Sequence, residues 1–256
     1  MITPVMTGGT LVEWSLHPQF ADAGPYTFQL QGGRTGLHDA DDWINLGAVL
    51  SNTYSAVDSE QRDFGQMQRW HYRLKLSTSN GVYYSDPQAA LGNLSQRDWS
   101  LVREISRQAL LRLKNGAGRK GFLLKRRLAG ERCPECLDKQ TDEILNSSCT
   151  VCYGTGFLDG YFAPFPCFYV EQTPWKLRSH QDQMAPGNEQ VTLGGRMLAV
   201  PRVFSYDVWV DADTDQRWII HGMQAEVEIR GLPVILYPVE MRLAPFTNVI
   251  YRFPLE

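Results

Sequence analysis

The 256-residue chain is short of the features that most quickly assign a protein to a class. No stretch approaches the roughly 20 consecutive apolar residues that a membrane-spanning helix needs. The opening MITPVMTGGT has no basic segment followed by an apolar one, so the expectation is a protein that folds and stays in the cytoplasm without a membrane partner. There is no H-E-x-x-H, no G-x-S-x-G and no glycine-rich phosphate loop. Of the five histidines (17, 38, 71, 180 and 221), His17 precedes a proline in a turn, His71 falls on the outward side of a strand pattern and His221 ends an apolar one. The chain therefore reads as a non-enzyme. Cysteine is scarce too: five is an odd count, four of them form two tight pairs, and a disulfide framework fits neither fact.

What is present is the composition of a globular protein, 43% hydrophobic and 21% charged, with 22 Gly and 14 Pro scattered between short apolar runs. The length allows two or three compact units. Net charge is −3, but it is uneven: the 36 residues from Arg97 to Arg132 carry eleven Lys or Arg against Asp98, Glu104 and Glu131. Such a block suits nucleic acid, acidic surfaces of neighbouring subunits, or a solvated helix face. Within it, Arg119, Lys120, Lys125, Arg126 and Arg127 are the positions that would meet such a partner.

The first 90 or so residues read as strands, with TLVEWS, PYTFQLQ, DWINLGAVL and RWHYRLKLST separated by Gly, Pro, Asp and Asn. Trp70, Tyr72, Leu74 and Leu76 alternate with Arg69, His71, Arg73 and Lys75, the period of a strand buried on one face. Asn80-Gly81 then predicts a hairpin into VYYS. The order of Trp14, YTFQLQ, WINLG, NTYSAVD and WHYRLKL closed by NGVYYSDP resembles a fibronectin type III module over about residues 10–88. That likeness implies a seven-stranded sandwich used for adhesion or spacing.

After Pro87 the period changes. SQRDWSLVREISRQALLRLKN predicts one amphipathic helix, with Ser95 as N-cap, Asp98 at N3, and an apolar stripe of Trp99, Val102, Ile105, Ala109 and Leu113. Asn115-Gly116-Ala117-Gly118 ends it.

The most specific pattern follows. Cys133, Cys136, Cys149 and Cys152 form C-x2-C-x12-C-x2-C, the spacing of two chelating knuckles that close a tetrahedral shell around a structural Zn2+. Iron–sulfur ligation is the other metal chemistry that four cysteines serve. Cys167 lies outside the spacing and reads as a small buried hydrophobe.

The second pair continues as CTVCYGTGF, which resembles one C-x-x-C-x-G-x-G repeat of J-domain chaperones, although the chain has no His-Pro-Asp triplet. Read whole, GFLLKRRLAGERCPECLDKQTDEILNSSCTVCYGTGFLDGYFAPFP, with DVWVDADTDQRWIIHGMQAEVEIRGLPVILYPVEMRLAPFTNVIY beyond it, resembles tailed-bacteriophage virion proteins across about residues 95–256. The resemblance implies a virion structural protein of the neck, at the head-tail connection, or of the tail. Its partners would be other virion proteins and further copies of itself. The alternative is a zinc-ribbon protein binding nucleic acid through residues 97–132.

In the last part, DVWV and RWIIH flank the acidic turn DADTDQ and predict an antiparallel β module. Asp211, Asp213 and Asp215 lack the Gly and Glu of an EF-hand loop, since Gln216 and Gly222 stand there, and read as a solvated hairpin turn. Val227 to Pro233 predicts a strand ending in a bend at Gly231. The expected layout is thus mainly β and multi-module: a fibronectin type III-like β-sandwich over 1–90, helix plus four-cysteine zinc knuckle over 91–160, an extended arm or loop over 161–195 and a C-terminal β module over 196–256.

Overall fold

The computed structural model describes residues 2–5, 9–16, 24–51, 53–60, 64–90, 94–116, 118–128, 130–136, 138, 141, 143–172, 176–178, 190–199 and 202–255. Two compact units result, Met1–Arg103 with Leu128–Arg132, and Glu104–Arg127 with Cys133–Glu256. The boundaries expected near residues 90, 160 and 195 do not coincide with this division, because the helix contributes to both units and everything from Cys133 onward belongs to one.

The first unit contains β1 (Ile2–Val5), β2 (Gly9–Glu13), β3 (Thr27–Gly33), β4 (Ile44–Asn45), β5 (Leu50–Ser51), β6 (Ser55–Asp58), a short helix α1 (Phe64–Gln68), β7 (His71–Thr78), β8 (Gly81–Tyr84) and β9 (Gln88–Ala89). One sheet has the order β1-β2-β6 and the other β4-β3-β7-β8, with β5 added to β3 and β9 to β7. The three-stranded sheet packs on the six-stranded one as a β-sandwich of nine strands, two more than the seven expected of a fibronectin type III module. Val12 of β2 and Ala56 of β6 face Leu30 of β3 and Tyr72 of β7, with Trp70 and Met67 in the same core. Phe28 sits between Trp14 and Tyr54, at ring-centroid distances of 5.5 and 5.1 Å. The buried Tyr72 hydroxyl donates to Asp58 at 2.8 Å, so one polar bond ties the two sheets through an otherwise apolar layer.

Two local expectations shift. DWINLGAVL is two short strands, β4 and β5, that pair with β3 on either side of the bend at Gly47. The β7–β8 hairpin turns on Ser79-Asn80, with Gly81 already paired to Thr78.

The helix α2 (Gln96–Asn115) follows the sequence closely. Ser95 and Asp98 form a reciprocal cap, Ser95 Oγ donating to the Asp98 carboxylate at 2.8 Å and Asp98 N–H donating back to Ser95 Oγ at 3.2 Å. Val102, Ala109 and Leu113 are buried as the stripe predicted, and Arg112 and Lys114 stand in the last turn, where cations complement the helix dipole.

The second unit holds β10 (Arg119–Leu124), β11 (Phe165–Gln172), β12 (Lys176–Arg178), β13 (Gln190–Leu198), β14 (Val208–Asp211), β15 (Arg217–Ile229) and β16 (Leu232–Leu243). Their order β11-β10-β14-β15-β16-β13 closes on itself through β11–β13 pairing, with β12 added to β13, so the unit is a six-stranded antiparallel barrel. Leu123, Cys167, Leu193, Met197, Trp209, Trp218, Ile220, Val239 and Met241 form its main core. The basic segment thus contributes β10, hydrogen-bonded on both edges. The segment expected as an extended arm over 161–195 supplies β11, β12 and the start of β13, while residues 173–175 and 179–189 lie outside the described residues.

β15 and β16 are joined by Arg230 and Gly231, both with positive φ (53° and 80°), the backbone of a two-residue hairpin turn. Pro233 therefore lies inside β16, paired with Glu228, and does not end the pattern. A 3-10 helix, Val249–Arg252, is held by the buried Arg217, whose Nη1 donates to the carbonyls of Ile250 and Phe253. It packs with Leu124, Val208, Val210 and Ala244 into a second apolar layer.

Gly121 marks the tightest approach in the barrel. A Cβ there would run into the Val210 carbonyl and the Trp209 indole, whereas at Gly222 the nearest atoms are Glu240 side-chain atoms at 3.7 Å or more. Gly121→Ala is expected to lower stability by about 1–3 kcal/mol. Gly222→Ala should be nearly neutral, both read as shifts in urea midpoint at constant slope.

Candidate metal centre

The excursion between β10 and β11 brings Cys133, Cys136, Cys149 and Cys152 together, their sulfurs all within 4.8 Å of one another. All four are free thiols and at most 5% exposed. Cys133 and Cys149 are 3.8 Å apart across the two knuckles, and Cys136 and Cys152 are 3.1 Å apart. Four sulfurs each about 2.3 Å from a central ion at tetrahedral angles would be separated by about 3.8 Å. One edge of the cluster has this spacing and the other is slightly contracted.

Backbone hydrogen bonds shape each knuckle. Cys133 N–H donates to Gly156 O at 2.9 Å, Leu145 N–H to Cys136 O at 2.8 Å, and Thr155 N–H to Cys152 O at 2.9 Å. Gly154, at φ +77°, crosses the Ser147 carbonyl so closely that a Cβ would sit 2.7 Å from its oxygen. Thr155 is a contributor that spacing arguments pass over: it is buried, and its Oγ1 donates to Cys152 O at 2.7 Å. Its only sequence signal is a hydroxyl between two glycines in CYGTG. Tyr153 and Tyr161 both pack edge-on against Phe253, at 5.2 and 5.7 Å, which fastens the base of the excursion to the C-terminal segment.

Electrostatics favour a bound cation. Burial and, for Cys136, bonds to the neighbouring sulfurs push the Cys133 and Cys136 thiols up. At Cys149 burial also acts upward, but the N–H groups of Cys152 and Val151 outweigh it and the thiol is held below its ordinary value. Deprotonating buried thiols is costly, and a divalent ion among four thiolates would offset that cost. The residues fit a soft-metal site of four sulfurs with no vacant position for water.

The five basic positions have different fates. Arg119 bonds the fully buried Asp211 at 2.6 Å, and Asp211 also accepts from Asp213 N–H at 2.9 Å. The Asp211–Asp215 turn is therefore a β hairpin turn as expected, but Asp211 is a buried anchor and not a solvated acid. Arg127 is buried: its N–H donates to Gly160 O at 2.9 Å, its guanidinium lies 4.8 Å from the Phe162 ring, and it straps the base of the excursion. Burial removes Arg127 from any partner surface. Lys120 is exposed on β10, and Lys125 and Arg126 lie over Phe204 and Tyr206 at 5.5 and 5.6 Å.

His71 and His221 sit on β7 and mid-β15, and His38 lies beside Asp39 at 3.0 Å, whereas His17 and His180 fall outside the described residues. Among the described residues no helix is long and apolar enough to cross a membrane. No protein-family model matches the chain, nor does any curated protein or solved structure.

Cys167 is in the barrel core, where burial pushes its thiol up to about 12. In chelator-treated but folded protein, alkylation read by mass is expected to modify four thiols and spare Cys167. The unfolded chain releases this proton near 9.0, whereas the fold retains it to about 12, so above pH 9 the native state binds more protons and stability falls as pH rises. Cys167→Val should flatten that decline in a urea series from neutral to alkaline pH.

Proposed function

We propose that the chain is a structural subunit of a tailed-phage virion, placed in the neck at the head-tail connection or in the tail. Its β units make the contacts with other virion proteins and with further copies of the chain, and a structural zinc ion on Cys133, Cys136, Cys149 and Cys152 stabilises the excursion. The observation that carries this reading is the closed four-thiolate cluster within the CPEC to CYGTGF segment, the same segment that bears the virion-protein likeness. A four-sulfur shell leaves no position at which metal-bound water reacts, so its contribution is to folding. The close sulfurs suit one ion better than an iron–sulfur cluster, which must fit several metal and sulfide atoms between its ligands. When bound, zinc would neutralise the thiolates and crosslink two knuckles whose segment is too small to bury a core of its own.

The reading in which residues 97–132 bind nucleic acid as one linear basic unit has less support. Arg119 and Arg127 are engaged inside the second unit, and Arg107 pairs with Glu104 on the helix at 2.7 Å.

Elemental mass spectrometry on the purified chain should find one zinc per chain, and Cys133→Ser or Cys149→Ser should lose it. Size-exclusion light scattering should show oligomers that dissociate or fail to form after chelation. Unchanged metal content in the serine variants would sink the zinc assignment. A chain that stays monomeric at all concentrations and is absent from purified virions would sink the assembly role.

A further inference from the structure

Where β10 ends, the fold assembles a surface that no segment of the sequence contains. Lys125 Nζ and the Arg202 guanidinium lie 5.5 and 5.0 Å from the Phe204 ring, and the Arg126 guanidinium lies 5.6 Å from the Tyr206 ring. His221 meets Tyr206 edge-on at 5.7 Å, with the Arg242 charge close enough to act on it. Asp207 holds these parts together from beneath. Fully buried, it accepts from the N–H groups of Arg126 and Phe204, both at 2.8 Å, so its charge is taken up by the backbone. Tyr206 has φ +70° and is 53% exposed. A residue with a Cβ adopts that conformation at a cost, and the surrounding structure sustains it with the aromatic ring exposed.

We infer that this surface of Lys125, Arg126, Arg202, Phe204 and Tyr206 binds single-stranded nucleic acid. The cations neutralise phosphates, guanidiniums over aromatic rings are pre-oriented for them, and an exposed ring offers a stacking face to a base of any sequence. An acidic protein surface would meet the cations equally well, and the exposed Tyr206 ring beside them, a stacking face for an unpaired base, favours nucleic acid. The basic segment taken alone has few interleaved aromatics; tertiary structure brings Phe204 and Tyr206 to it from a distant loop. The inference stands independently of the assembly role.

Fluorescence anisotropy of the full-length chain with labelled oligothymidylate tests it. Log affinity should fall linearly with log salt, with a slope of about −2 for three phosphate contacts at about −0.7 each. Tyr206→Asn, which tolerates the left-handed backbone, should weaken binding about tenfold with the slope unchanged. Arg126→Gln combined with Arg202→Gln should flatten the slope by about 1.4. Arg103→Gln with Arg112→Gln on α2 should leave affinity unchanged, with thermal melting checking that each variant folds. If Tyr206→Asn unfolds, Tyr206→Trp replaces it, and tryptophan quenching by oligothymidylate is expected. Absence of salt-dependent binding, a Tyr206→Asn variant that binds like the parent, a Tyr206→Trp signal that does not quench, or competition by polyglutamate as strong as by oligothymidylate would each overturn the inference, the last in favour of an acidic protein partner.

Discussion

The pairing of Glu171 and Gln172 with Arg196 and Gly195 is the constraint on which the second unit depends. Without it the seven strands would be an open sheet with two edges; with it six of them close, and every barrel strand has a partner on either side. Closure requires β10 and β11 to be neighbours although some forty residues separate them, and the cysteine excursion is what fills that interval. A metal that tightens the excursion therefore acts on the connection between two adjacent barrel strands, which links local coordination to global order.

Polar groups buried in this unit do related work. Asp211 receives Arg119, Asp207 receives two backbone N–H groups, Arg217 reaches the C-terminal carbonyls, and Arg127 binds the base of the excursion. Except for Phe204, which donates to Asp207 three residues on, these partners come from elements distant in sequence. Such contacts add little net stability compared with apolar packing, but leaving one partner unmatched is costly, so they select one arrangement of loops over others. Tyr206, next to the buried Asp207, keeps its ring at the surface.

Legibility followed the range of the interactions. The cap of α2, its buried stripe and the alternation in β7 depend on neighbours within a few residues, and they were readable. The two-residue strands β4 and β5 were not, because their strand character comes from β3 and not from their own sequence. The arm over 161–195 looked like a loop since its prolines and aromatics hide a period that only a barrel partner makes regular. Among the basic residues, Arg127 looked like a surface charge because nothing nearby in sequence announces the carbonyl and ring that cover it.

The sequence by itself determined the mainly β character, the single long helix and the identity of the four clustered cysteines. Those follow from periodicity, capping and the short-range geometry of two C-x-x-C turns. Tertiary structure alone decided that the C-terminal half closes into a barrel, and that cations just after β10 meet aromatics from the loop before β14. The physical reason is that strand partners and buried ion pairs are chosen by the free energy of the whole chain. Residues far apart along it carry no local mark of meeting.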